Sequence, residues 1–261
     1  MIEVTAEKLK ADFPLFVCYI WSLIPLPPPT RAQILLAKFM ADERHPRRII
    51  EAFRGVGKSY IAYSFVLWKL WNDPDLRFLI VSANQARADA FSTTCQQWID
   101  LSPFLQHLKP KDRDTVWSRV LWTVGPAKAS GSTSVKSVGI DSNFTGSRAD
   151  YIIADDVESE KNSSTVDQRE KLKRAVSEFE AIKKGNEGKG ISSQVLYLGT
   201  PQCEESLYNY LGDLDYKVRI WPARYPKIEK LGSYKGRLCP VLENELLEGL
   251  KQEAEPTDPK R

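Results

Sequence analysis

The chain has 261 residues, of which 42% are hydrophobic and 27% charged, and its 37 basic and 34 acidic side chains leave a formal net charge of +3. These proportions exclude wholesale disorder and a fibrous repeat, and the length suits one α/β domain, alone or with a small satellite. So weak a charge excludes a protein that coats a polyanion with its whole surface, and confines any nucleic-acid contact to a local patch.

Residues 13–24 (FPLFVCYIWSLI) form an apolar run that Pro14 interrupts and Pro25 closes. A spanning helix needs roughly 20 apolar residues, and a signal peptide needs a basic leader and a small-residue cleavage site. The run has neither, so it reads as a helix on the core of a cytosolic protein. After a stiff proline connector, Thr30 caps a helix over 30–41, and 47–52 (RRIIEA) reads as a short strand. Residues 59–71 follow as a helix with Ile61, Phe65 and Trp68 on one stripe, stopped by Asp73-Pro74. A continuous apolar strand spans 77–82 and a helix 85–101. Residues 109–114 make a charged turn, and 116–124 and 133–140 alternate as a hairpin insertion would. Another buried strand covers 151–155, and a helix runs from Thr165, boxed by Gln168, to about 183. A polar loop over 184–193 precedes the last strong strand, 194–199; past 219 the pattern gives way to proline-rich turns and an acidic helix over 242–253.

Strands alternating with helices predict a three-layer α/β fold with a mainly parallel sheet. The divisions expected are an N-terminal helical segment (1–45), a core (46–215) and a C-terminal lid or linker (216–261). Cys18, Cys95, Cys203 and Cys239 lie far apart, and His45 and His107 are the only histidines, so neither a zinc cluster nor a disulfide framework is expected.

The segment Arg54-Gly55-Val56-Gly57-Lys58-Ser59 joins the first strand to a helix. Glycines there let backbone N–H groups turn toward an anion, and the helix start adds its dipole. Lys58 would reach the β- and γ-phosphates of a nucleotide and the Ser59 hydroxyl would ligate Mg²⁺. The usual pattern G-x-x-x-x-G-K-[ST] has Gly where this chain has Ala52. Downstream, the strand Tyr151-Ile152-Ile153-Ala154 ends in Asp155-Asp156. Beside a phosphate loop, the first carboxylate holds the metal and the second polarises the attacking water. Asp155 is thus the metal candidate and Asp156 the base, with Glu158 a fallback.

Thr200, with Gln202 second, ends the third apolar strand where a γ-phosphate could be sensed. Gln33 carries an amide able to bond an adenine edge. Charge developing on a transferred phosphoryl group calls for a guanidinium. Arg54 could supply it in cis, and Arg148, just ahead of the acidic strand, in trans.

Taken in order, Gln33, R-G-V-G-K-S, S-R-A-D-Y-I-I-A-D-D-V-E and L-G-T-P-Q resemble the ATPase domain of the large terminase subunit of tailed bacteriophages, most of all its podophage branch. The resemblance implies a P-loop ATPase of the ASCE, RecA-like type with a small lid subdomain. It implies ATP and Mg²⁺ as cofactors, and double-stranded DNA, a portal protein and a small terminase subunit as partners. Five copies would assemble at the portal vertex of a prohead in the host cytoplasm, away from any membrane. Gln33 would then be the adenine-binding residue, Arg54 the loop arginine, Asp155 and Asp156 the acidic pair, Thr200 part of a coupling motif and Arg148 a trans-acting finger. Large terminases also carry an RNase H-like nuclease domain; too few residues follow Gln202 for one, so the motor half alone, without DNA cleavage, is expected. The turn 109–113 and the loop 184–189 are candidates for DNA or portal contact. The rival readings are a helicase-like nucleic-acid-dependent ATPase and a nucleotide-responsive portal-docking module.

Overall fold

The computed structural model describes residues 5–142, 146–183, 193–203 and 205–239. Three helices come first. α1 (Ala6–Ala11) is capped by Thr5, and α2 (Phe13–Ser22) by Asp12, with Pro14 in the opening turn, where its missing N–H costs nothing. Phe16, Val17 and Ile20 of α2 are fully buried, which contributes about 1.5–3 kcal/mol each. No helix among the described residues is long and apolar enough to cross a membrane. α3 (Arg31–Met40) opens on a reciprocal capping box between Thr30 and Gln33.

The sheet elements then alternate with helices: β1 (Arg47–Ala52), α4 (Lys58–Asn72), β2 (Phe78–Ser82), α5 (Gln85–Leu101), β3 (Leu121–Trp122), β4 (Val135–Gly139) and β5 (Tyr151–Asp155). Three short helices, α6 (Glu160–Ser163), α7 (Val166–Ser177) and α8 (Phe179–Ile182), precede β6 (Gln194–Gly199), and α9 (Leu207–Gly212) precedes β7 (Lys217–Trp221). The seven strands lie in the order β3-β4-β2-β5-β6-β1-β7. Every neighbouring pair is parallel except β3 with β4.

The two-residue period of a strand divides the core. Ile50, Ile80, Ile153 and Leu196 face a cluster supplied by α1 to α5, whereas Ile49, Leu79, Ile152 and Val195 face Leu172, Val176, Phe179 and Tyr208 of α7, α8 and α9. Both faces are covered, which is why the strands read as unbroken apolar runs. The result is the three-layer, mainly parallel α/β architecture expected.

The sequence reading needs correction in three places. Residues 133–140 are no hairpin insertion: β4 lies parallel beside β2 as a core strand, and only the two-residue β3 turns back on it. Ser137 disguised it, a polar residue buried because its hydroxyl shares a 2.6 Å hydrogen bond with that of Ser92. The helix expected from Thr165 to about 183 is divided at Glu178, whose N–H bonds back to Ala175 while α8 starts anew. The third is β7, a strand the sequence reading lacks, which pairs with β1 from Arg48↔Lys217 to Ala52↔Trp221. A boundary at 216 falls one residue ahead of that strand. The acidic helix placed at 242–253 and the loop placed at 184–189 lie outside the described residues.

Parallel pairing brings the carboxyl ends of β1, β5 and β6 to one edge, with β6 between the other two. The loops that leave those three ends are the ones that carry the motifs.

Candidate active site

The loop after β1 owes its shape to two glycines. Gly55 and Gly57 have φ of +87° and +84°, the left-handed region that residues with a Cβ avoid. Gly57 is also crowded: a Cβ there would lie 3.2 Å from the Trp21 ring and 3.4 Å from Gln33 Nε2. No side chain caps α4, which starts at Lys58, so its first N–H groups serve the loop side. Ala52, where a glycine is usual, contributes through its carbonyl. That oxygen accepts from Lys58 Nζ at 2.9 Å and from Thr200 Oγ1 at 2.8 Å, bonds indifferent to a methyl group.

Lys58 is buried and its ammonium is held by Ala52 O, by Phe53 O at 3.4 Å and by Thr200 Oγ1 at 3.2 Å. Burial lowers its pKa, against the opposing pull of Asp156 and Asp155. Ser59 Oγ donates to Asp155 Oδ1 at 3.1 Å. Asp155, 8% exposed, has its carboxyl pushed up to about 7 by burial first and the neighbouring Asp156 charge second; Ser59, Lys58 and Arg87 pull the other way. A buried acid at a corner rich in oxygen donors suits a hard divalent cation, whose charge would hold the carboxylate ionised.

Asp156 follows in the left-handed region at φ +47°, which aspartate and asparagine tolerate better than most residues with a Cβ. Its N–H donates to Leu198 O at 2.8 Å, which locks the turn off the strand end while the side chain stays partly exposed. Beyond Thr200, the chain is tied to the loop opposite. Arg54 Nη2 donates to Gln202 Oε1 at 2.9 Å, and Gln202 Nε2 to Thr200 O at 2.8 Å. Gly199 precedes them because a Cβ there would fall 2.0 Å from the Tyr208 ring. Gln33 reaches the same loop: Nε2 donates to Val56 O at 3.0 Å while Oε1 accepts from Thr30 N at 2.7 Å.

Of the residues singled out in the sequence, the structure therefore brings Gln33, Arg54, Gly55, Val56, Gly57, Lys58, Ser59, Asp155, Asp156 and Thr200 to one edge. Two do not fit. Glu158 cannot serve as a spare base: it is buried, and its two carboxylate oxygens accept the backbone N–H groups of Gln202, at 3.0 Å, and of Leu207. Arg148 sits ahead of β5 at the opposite edge, about 20 Å of strand from Asp155, and donates to Ala181 O at 2.9 Å. Its expected role is in trans, on a neighbour's nucleotide, and one chain by itself shows it outside its own site. The turn at 109–113 is also partly committed, since Lys109 pairs with Asp100 at 2.7 Å.

Arg87, overlooked in the sequence, belongs near the site. It is exposed in the first turn of α5, and its charge acts on Asp155. Its place at the start of the helix after β2, whose carboxyl end shares the edge, was the available signal.

No family model matches the chain. The terminase large subunit of Enterobacteria phage T3 is 48% identical over 259 residues, which is 97% of this chain and 43% of that protein. The chain thus spans less than half the length of this curated relative. The large terminase of bacteriophage HK97 superimposes with a TM-score of 0.53 at 12% identity, over 95% of this chain and 52% of that one. The DEAD-box helicase Mss116, bound to ssRNA and UDP-BeF, gives 0.55 at 13% identity, over 85% and 46%. Those two show a shared P-loop ATPase fold. The resemblance to large terminase subunits rests on the phage T3 relative and extends through almost the whole chain.

Proposed function

We propose that this chain is the ATP-hydrolysing motor module of a large terminase subunit, which drives double-stranded DNA through a portal into a prohead. One observation carries the reading: the phosphate loop and the acidic strand end meet, with Ser59 Oγ 3.1 Å from Asp155 Oδ1. The 48% identity to the phage T3 protein supports a terminase over a helicase.

Ser59 and Asp155 would hold Mg²⁺, which when bound neutralises phosphate charge. The loop N–H groups and the start of α4 bind the phosphates of ATP, and Gln33 exchanges its bond to Val56 for the adenine edge. Lys58 leaves the carbonyls of Ala52 and Phe53 for the β- and γ-phosphates. Asp156 orients the attacking water and takes its proton, and Arg54 places a guanidinium beside the charge that develops. Thr200 touches both Ala52 and Lys58, so displacement of the lysine is felt at the β6 end and, through Gln202, at Arg54.

In this reading the chain works as a homo-oligomer, a pentamer, at the portal vertex in the host cytoplasm, with the portal protein, the small terminase subunit and duplex DNA as partners. Steady-state phosphate release with Mg²⁺ and ATP, alone and with DNA and portal, tests it. Turnover stimulated by the partners is expected. Absence of turnover in both conditions, with nucleotide still bound, would leave a docking module and overturn the motor.

A further inference from the structure

A second hollow, of about 330 Å³, opens near the amino ends of β2, β4 and β5, away from the nucleotide edge. Its charged lining is Lys136 of β4 and Arg148, with hydroxyls from Thr133 and Ser147, over a floor that includes the apolar Phe78 and Leu121. Lys136 Nζ donates to Ser147 Oγ at 2.9 Å and Arg148 Nη1 to Ala181 O, and neither cation has a carboxylate partner among the described residues. Three other basic residues at this edge are paired: Glu180 takes both Arg47, at 3.0 Å, and Lys183, at 2.7 Å, and Asp75 takes Lys128 at 3.0 Å.

We infer that this hollow is a phosphate-binding site for the backbone of duplex DNA. Two cations that line one hollow over an apolar floor, without a carboxylate partner among the described residues and with hydroxyl groups beside them, match a phosphodiester, which is anionic and rich in acceptors. Shape selects the source. A phosphate on a duplex projects from a convex ridge and can enter a hollow, whereas a nucleotide lying in a neighbour's cleft is recessed and would need a projecting arginine. The site deepens the motor reading and rests on it, since it gives the translocated DNA a contact on the edge opposite the ATP cradle. It also lets a chain of weak net charge touch a polyanion through a local patch rather than its whole surface.

The test is fluorescence anisotropy of a labelled mixed-sequence duplex over a salt series, with the native chain and the variants Lys136→Gln, Lys136→Arg and Arg148→Gln. Each Gln variant is expected to weaken binding several-fold for any sequence and to lower the slope of log affinity against log salt by about one, as loss of one phosphate contact does. Lys136→Arg keeps the slope. Inorganic phosphate or ATP added at constant ionic strength leaves the duplex bound; displacement by either at low concentration would assign the hollow to a free phosphate and overturn the inference. Native slope in both Gln variants, or no duplex binding by the native chain, overturns it too. So does an Arg148→Gln chain that binds duplex normally but loses portal-stimulated turnover, which would make the arginine a finger to a neighbour. Hydrolysis by the native chain without DNA, measured in parallel, judges the motor separately: its absence sinks that reading and leaves the duplex measurements to decide on the hollow.

Discussion

The Ser59 hydroxyl donates to Oδ1 of Asp155 across 96 positions of sequence. Nothing local joins them. They meet because β1 and β5 run parallel on either side of β6 and end at the same edge, so the residue that opens α4 and the residue that closes β5 face each other over one strand. A doubly wound sheet binds its ligands at such carboxyl ends, and here the two ends differ in charge: a lysine and free N–H groups on one side, paired carboxylates on the other.

Replacing Lys58 separates binding chemistry from folding. Its ammonium bonds two carbonyls and a hydroxyl; when it is lost, the Thr200 hydroxyl still donates to Ala52 O, and the carbonyl of part-buried Phe53 can turn to water. Lys58→Met keeps the buried stem, so its unfolding free energy should change by no more than about 1 kcal/mol. Phosphate release should fall roughly 10²–10³-fold, the usual cost of removing one donor from developing charge, and Lys58→Ala should abolish turnover. Native turnover in either variant ends the assignment of this loop.

Asp156 can be tested without disturbing its backbone. At φ +47° an alanine would cost about 1–2 kcal/mol, whereas asparagine tolerates this region. Asp156→Asn should therefore unfold like the native chain, bind ATP, and hydrolyse it roughly 10²-fold or more slowly, as loss of a general base requires. An Asn variant with native turnover would move the base elsewhere.

These two sites were legible in the sequence because their residues are contiguous with strong signals: Lys58 follows glycines and opens a helix, and Asp156 closes an apolar run. β2, β5 and β6 were legible for the same reason, being buried on both faces. β4 was legible as a strand but not as a core one, since Lys136 and Ser137 interrupt it; β7 was not legible, since Lys217 and Arg219 break its run and an edge strand needs only alternate burial. Arg148, expected to act in trans, stands apart from the site of its own chain. Seven residues from Asp155 in sequence, it is a strand's length away in space, because a strand extends about 3.3 Å per residue.

Acid should loosen the molecule at the other end of the sheet. Glu43 accepts from Lys69 at 2.6 Å and from the Tyr151 hydroxyl. Burial pushes its carboxyl up, but the hydrogen bonds from Lys69 and Tyr151 outweigh that and hold it below the ordinary 4.5. A folded-state pKa below the unfolded one gives stability that is complete above the unfolded value and lost as pH falls through the folded one. The pair is half-exposed and screened, so the contribution is below about 1 kcal/mol. Urea midpoints of Glu43→Gln should lie below native at neutral pH and converge with it as acid protonates the native carboxyl; a gap that stays constant into acid would show that the carboxylate's charge is not what matters.

Glu158 gives the sharpest contrast with Asp156, two residues away. Both of its oxygens accept backbone N–H groups, from Gln202 and from Leu207 at the head of α9, so one buried carboxylate fastens the segment after β6 beneath Arg54 and Thr200. Gln offers one oxygen and turns an NH₂ group toward the other N–H, leaving a buried donor facing a donor, at a cost of about 1–3 kcal/mol. Glu158→Gln should thus lower the unfolding midpoint, which Asp156→Asn leaves in place. Because the segment it fastens carries Gln202, the partner of Arg54, hydrolysis should also fall. A residue acting only by position changes the height of the pH–rate profile and leaves its limbs where they were, whereas a general base takes a limb away with it. Stable Glu158→Gln protein that has lost one limb of the profile would reverse the two roles and make Asp156 the structural member of the pair.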